Sequence, residues 1–133
     1  VVIDADTLRD ALRPVRDWLD GPDTPETKPG RTTLAAAVRT SLRAFAQAYP
    51  GKAVEVRVPP FAAVQCLPGA THTRGTPPHV VETDPRNWLL MVTGLLAWAD
   101  AVATGKVNAS GHRSGEIGAL LPWPPTSQDC NKE

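Results

Sequence analysis

Six side chains have the types that metal or nucleophile chemistry needs: Cys66, His72, His79, Glu82, Asp84 and His112. Imidazole, thiolate and carboxylate groups are the ordinary zinc ligands. No His or Cys pair among them has a standard ligand spacing, and a loop separates His72 from His79. The simpler reading is of histidines that are solvated or that anchor loops. Ser110 and His112 flank Gly111 at a strand end, but no Gly-x-Ser-x-Gly turn surrounds the serine and no acid stands at a telling distance. Cys66 lies in an apolar run, where a thiol reads more simply as a small buried side chain than as a nucleophile. Arg74 opens Arg74-Gly75-Thr76-Pro77-Pro78, which has one glycine and leads into a strand rather than a helix, so it is a poor phosphate cradle. Arg74 could meet an anionic head group, but pairing with Glu82 or Asp84 is the preferred reading. No catalytic residue, metal site or cofactor is expected.

The aromatic residues say more. Of four tryptophans, Trp88 and Trp98 stand ten residues apart in an apolar stretch, and Trp123 sits among prolines near the end. Residues Trp88–Val102 hold two Trp, four Leu, two Val and one Met in fifteen positions. Large aromatics fill cores or line pockets. A helical hairpin this apolar, laid on a small sheet, could enclose a cavity.

The surrounding elements follow from periodicity. Leu8, Leu12, Val15, Trp18 and Leu19 make one stripe of a helix over Asp4–Asp20, with Asp4 as N-cap and a break near Pro14. Gly21–Gly30 reads as a loop. Leu34, Val38, Leu42, Phe45 and Tyr49 give a second helix over Arg31–Tyr49, capped by Thr32 or Thr33 and ended by Pro50-Gly51, with Gly51 suited to a left-handed cap. The period then becomes two: Val54, Val56 and Val58 predict a half-buried strand, Phe61–Leu67 its hairpin partner and His79–Thr83 a third strand. Asp84-Pro85 pairs a good N-cap with a good first helical residue. Gly94 ends or bends that helix, Leu95–Thr104 resumes it, Lys106–Ser110 is a short strand and Glu116–Leu121 a last helical turn or two. The whole predicts one α/β domain over residues 1–125, with a flexible tail at 126–133.

Composition narrows the function classes. Basic and acidic residues balance at 14 each, which argues against nucleic acid as a partner and against a strongly charged membrane-surface protein. No run of about 18 apolar residues exists, as a spanning helix would need. No secretory signal is visible at the start. Cys66 and Cys130, one in an apolar run and one in a polar tail, read as a reduced cytoplasmic pair before a disulfide. Abundant Ala and an excess of Arg over Lys are common in high-GC bacteria.

Several motifs together resemble a known family. Asp84-Pro85, Trp88-Leu89, Gly94, Ala99–Ala101 and Gly105-Lys106-Val107 leading to Ser110-Gly111 look like the signature of sterol carrier protein-like domains. Val54-Glu55-Val56-Arg57-Val58-Pro59-Pro60-Phe61, Gln65-Cys66 and the stretch from His72 through Asp84 resemble its actinobacterial branch, the bacterial sterol carrier orthologues. The match covers roughly Val54–Leu121, and the N-terminal helices agree in placement only. The resemblance implies an α+β fold: about five strands covered on one side by helices, with an apolar tunnel between. It implies non-catalytic binding or transfer of a sterol, fatty acid or similar apolar lipid. On that reading Trp88, Leu89, Val92, Leu95 and Trp98 line the pocket, with Phe45, Val56 and Val64 opposite. Asn131-Lys132-Glu133 is not a peroxisomal signal, and the loop Pro68–Pro78 departs from the general carrier pattern. Transient membrane or protein contact, as a monomer or weak dimer, is compatible with this reading. The alternative is a protein–protein interaction module of the same fold whose cavity is vestigial or filled by its own side chains.

Overall fold

The computed structural model describes residues 2–69 and 79–123. His72, Arg74, Cys130, most of the loop Pro68–Pro78 and the tail at 126–133 lie outside the described residues. The chain runs α1 (Ala5–Leu12), a 3₁₀ turn (Arg13–Val15), α2 (Arg16–Asp20), α3 (Arg31–Ala48), β1 (Val54–Val58), β2 (Ala62–Cys66), β3 (His79–Thr83), α4 (Pro85–Thr93), α5 (Trp98–Ala103), β4 (Val107–Ser110) and α6 (Gly115–Ala119).

The helix starts follow local chemistry. Thr7 N–H donates to the Asp4 carboxylate at 2.7 Å, and Asn87 N–H to Asp84 at 2.7 Å, each satisfying an amide that the first turn leaves unpaired. Pro14 falls in the 3₁₀ turn, so the expected break divides α1 from α2. The cap of α3 differs from expectation: it is Gly30, with no side-chain bond, rather than Thr32 or Thr33. Gly51 is not a helix cap either. It has φ +148°, and an added Cβ would collide with the Leu67 carbonyl, so its role is close backbone approach. Around that contact Leu67 N–H donates to Tyr49 O at 2.8 Å and Ala53 N–H to Leu67 O at 3.1 Å, fastening the end of α3 to the sheet.

The strands lie in the order β2-β1-β3-β4. β1 pairs antiparallel with β2 (Val56 opposite Val64) and parallel with β3 (Val56 beside Val81), and β3 pairs antiparallel with β4. This is a four-stranded sheet among the described residues, where the resemblance implies about five. At one edge the chain leaves β4 through Gly111, at φ +84°, and continues into α6.

Alternation along the strands sends Val54, Val56, Val58, Val81 and Cys66 inward, all fully buried, against Val38, Leu42 and Phe45 of α3 and Trp88 and Leu89 of α4. The other face keeps Glu55, Arg57 and Glu82, with Arg57 bonded to Glu55 at 2.8 Å. Arg86 ties the N-terminal helices to this body. Its guanidinium donates to Trp18 O at 2.9 Å and Gly21 O at 3.0 Å and stacks on the Trp18 ring at 4.9 Å. No helix among the described residues is long and apolar enough to cross a membrane.

Candidate functional site

The structure divides the expected lining residues. Phe45, Val56, Trp88 and Leu89 are fully buried and Val92 nearly so, all within one core cluster. Trp88 and Phe45 meet edge to face at 5.7 Å between centroids, and Phe45 meets Tyr49 at 5.0 Å. These residues fill one another's space. Val64 and Trp98 are half-buried against the same cluster, Trp98 lying over Gly118. Leu95 stands apart, 49% exposed. The cause is Gly94: at φ +86° it reverses the chain, and Leu95 and Leu96 N–H both bond back to Leu90 O, so α5 begins only at Trp98.

The open space lies next to this core. A cleft of about 600 Å³ is lined by Ala5, Leu8, Arg9, Leu12, Arg13 and Arg16 from the N-terminal helices, and by Val92, Thr93 and Trp123. Ala5, Leu8, Arg9 and Leu12 share one helical face, because residues three and four apart lie above one another. The end of α4 supplies the opposite wall. Trp123 is held there by its N–H bond to Val92 O at 3.0 Å, and its ring stands edge to face with Phe45 at 6.2 Å. The apolar floor is therefore bordered by three guanidinium groups. Arg9 pairs with Asp6, and Arg13 with Asp10 at 2.9 Å, whereas Arg16 has no ion pair among the described residues.

Of the residues expected from sequence, Val92 alone lines this cleft. The Leu8/Leu12 stripe was legible as an apolar face, but its partners Val92, Thr93 and Trp123 are eighty or more residues away in the chain. Trp123, among prolines, carried no periodic signal.

The residues weighed for chemistry are placed as follows. Burial pushes the Cys66 thiol up to about 11. His79 Nδ1 accepts from Arg113 N–H at 3.3 Å, and its ring meets His112 edge to face at 4.7 Å. Burial lowers the His79 pKa, as do the nearby charges of His112 and Arg113. Arg113 forms a two-pronged pair with Glu116 at 2.8 and 3.1 Å. No histidine among the described residues is hydrogen-bonded to Cys66 or Ser110, and no three described His, Cys, Asp or Glu residues come together as a metal-holding group.

A mixed sheet covered on one face by helices, with a cleft at the helix layer, is the architecture of a small α+β domain. The model of the family described as bacterial SCP ortholog matches residues 30–123, and the chain belongs to that sterol-carrier-like family. Membership supports a lipid-carrier role at a coarse level. No curated protein matches the chain.

Proposed function

We propose that this protein is a non-catalytic lipid carrier that holds a fatty acid, sterol or similar apolar ligand in the cleft between α1 and α4. The observation that carries this reading is the composition of the cleft. Its floor is Leu8, Leu12, Val92 and Trp123, its border is Arg9, Arg13 and Arg16, and its volume of about 600 Å³ suits a small molecule. Covering about 300 Å² of acyl surface contributes about 7 kcal/mol before the cost of association. A Cys66 thiol whose pKa burial raises to about 11, and a Ser110 with no hydrogen-bonded base among the described residues, both favour binding over catalysis. The test is titration of delipidated protein with a long-chain fatty acid and with a sterol, following tryptophan emission. A saturable change that Trp123→Phe removes is expected. The absence of saturation with either ligand would overturn the proposal.

One observation favours a second reading, the interaction module. Phe45, Val56, Trp88 and Leu89 fill the interior between the sheet and helices, as a self-filled cavity would require. Native mass spectrometry separates the two readings. A co-purifying lipid supports the carrier, and its consistent absence together with a saturable protein partner supports the module.

A further inference from the structure

The charges of this neutral chain are unevenly distributed. Seven of the fourteen acidic residues lie in the first 26 positions, and none lies between Glu26 and Glu55. That acid-free interval contains Lys28, Arg31, Arg39, Arg43 and Lys52, all exposed. It includes the whole of α3.

Among the described residues these charges are not neutralised. Arg9, Arg13, Arg57 and Arg113 each pair with a carboxylate. Arg31, Arg39 and Arg43 have no ion pair among the described residues. Arg39 and Arg43 are one turn apart on the solvent side of α3, whose opposite side buries Leu34, Val38, Leu42 and Phe45. Phe61, at the β1–β2 turn, lies under two of them: the Arg31 guanidinium is 5.4 Å and that of Arg39 6.0 Å from its ring centre. Arg39 Nε also donates to Phe61 O at 3.1 Å, which holds the guanidinium in place. Thr32 and Ala36 are small, leaving a groove of about 320 Å³ between the cations and the ring.

We propose that the exposed face of α3, with Lys28, Arg31, Arg39, Arg43 and Phe61, is a docking surface for lipid bilayers carrying anionic head groups. Charge complementarity selects the partner. Cations near a negatively charged leaflet are attracted to it, and the attraction decays within a Debye length. Phe is among the apolar residues that interfacial segments bury at the boundary between head groups and acyl chains, and Phe61 keeps part of its ring exposed among the cations. Four cations on a neutral chain are few for nucleic acid, whose affinity grows with each phosphate neutralised. This surface is separate from the α1–α4 cleft and does not depend on what the cleft holds.

The experiment is sedimentation with vesicles of phosphatidylcholine alone and of phosphatidylcholine with phosphatidylglycerol, at low and high salt. Binding to the anionic vesicles, weakened by salt and little seen on neutral ones, is expected. Arg31→Ala/Arg43→Ala should weaken it by roughly tenfold or more. Arg31→Lys/Arg43→Lys should keep it, and Gln65→Glu/Asn108→Asp, which makes the same net-charge change on the opposite sheet face, should leave most of it. Equal binding to both vesicle types, or no loss in the double alanine variant, would overturn the proposal. So would arginine-dependent retention on polyglutamate without vesicle binding, which would indicate an acidic protein partner instead. Fatty-acid titration of the same variants keeps the two proposals apart, because a docking variant is expected to fill its cleft normally.

Discussion

Trp88 Nε1 donates a 2.9 Å hydrogen bond to Ser41 Oγ, joining α4 to α3 across 47 positions of sequence in a place where neither residue is exposed. The hydroxyl in turn donates to Ala37 O at 2.8 Å, so each polar group in this buried pair is satisfied. Ser41→Ala leaves the indole N–H without a partner and is expected to cost about 1–3 kcal/mol in urea unfolding. Adding Trp88→Phe removes that orphaned donor. The double variant should therefore be less destabilised than the sum of the singles, and a double-mutant cycle measures the coupling.

Gly118 lies in α6 against the Trp98 indole, where a Cβ would overlap the ring. Glycine to alanine ordinarily stabilises a helix by about 1 kcal/mol. Here Gly118→Ala is expected to lower the melting temperature, because Trp98 must move. A stabilised variant would show that the indole repacks without cost.

Arg86 bonds the carbonyls that end α2 and stacks on Trp18. Arg86→Met keeps much of the apolar stem and removes both bonds, so a loss of about 2 kcal/mol is expected. The loss should be local as well as global. Amide exchange should accelerate in residues 5–20 before it does in the sheet, since Arg86 is their main polar tie to α4.

At the cleft, Thr93→Trp places an indole where the ligand is proposed to lie. Fatty-acid affinity should fall at least tenfold with little change in melting temperature. Arg16→Ala should weaken binding of the acid by about threefold while sparing its methyl ester, in keeping with an exposed charge contact. Equal loss for acid and ester would assign Arg16 a packing role.

His79 gives a pH prediction. Its pKa is lowered by burial and by His112 and Arg113, so the folded protein favours the neutral ring, whose Nδ1 accepts from Arg113 N–H. Below about pH 6.5 the unfolded chain binds this proton more readily than the folded one. The contribution is present above that pH and is lost as pH falls through it. The melting temperature should drop from pH 7 to pH 5, and His79→Asn, which keeps an acceptor, should flatten the decline.

Much of the local structure was legible in sequence because its causes are local. Asp4 and Asp84 cap through amides three residues on, Pro14 breaks its helix, and the alternation of Val54, Val56 and Val58 marks one strand face. The motifs from Val54 to Leu121 also carried the family, which the match over residues 30–123 shows. Periodicity told which side chains leave water, and Phe45, Val56, Trp88, Leu89 and Val92 are indeed buried together.

Where space remains was decided only by the tertiary structure. A stripe of apolar residues has the same signature whether its neighbour packs tightly or leaves a gap. Trp88 and Phe45 close on each other, whereas Leu8 and Leu12 meet Val92 and Trp123 across an open cleft. The parallel pairing of β1 with β3 and the exposure of Leu95 beyond Gly94 were likewise set by contacts and a chain reversal. Sequence by itself determined most of the elements, the buried faces of α1, α3, β1 and α4, and the family. The position of the cleft and the seating of Phe61 under Arg31 and Arg39 came from the packing of segments far apart in the chain, which no local pattern encodes.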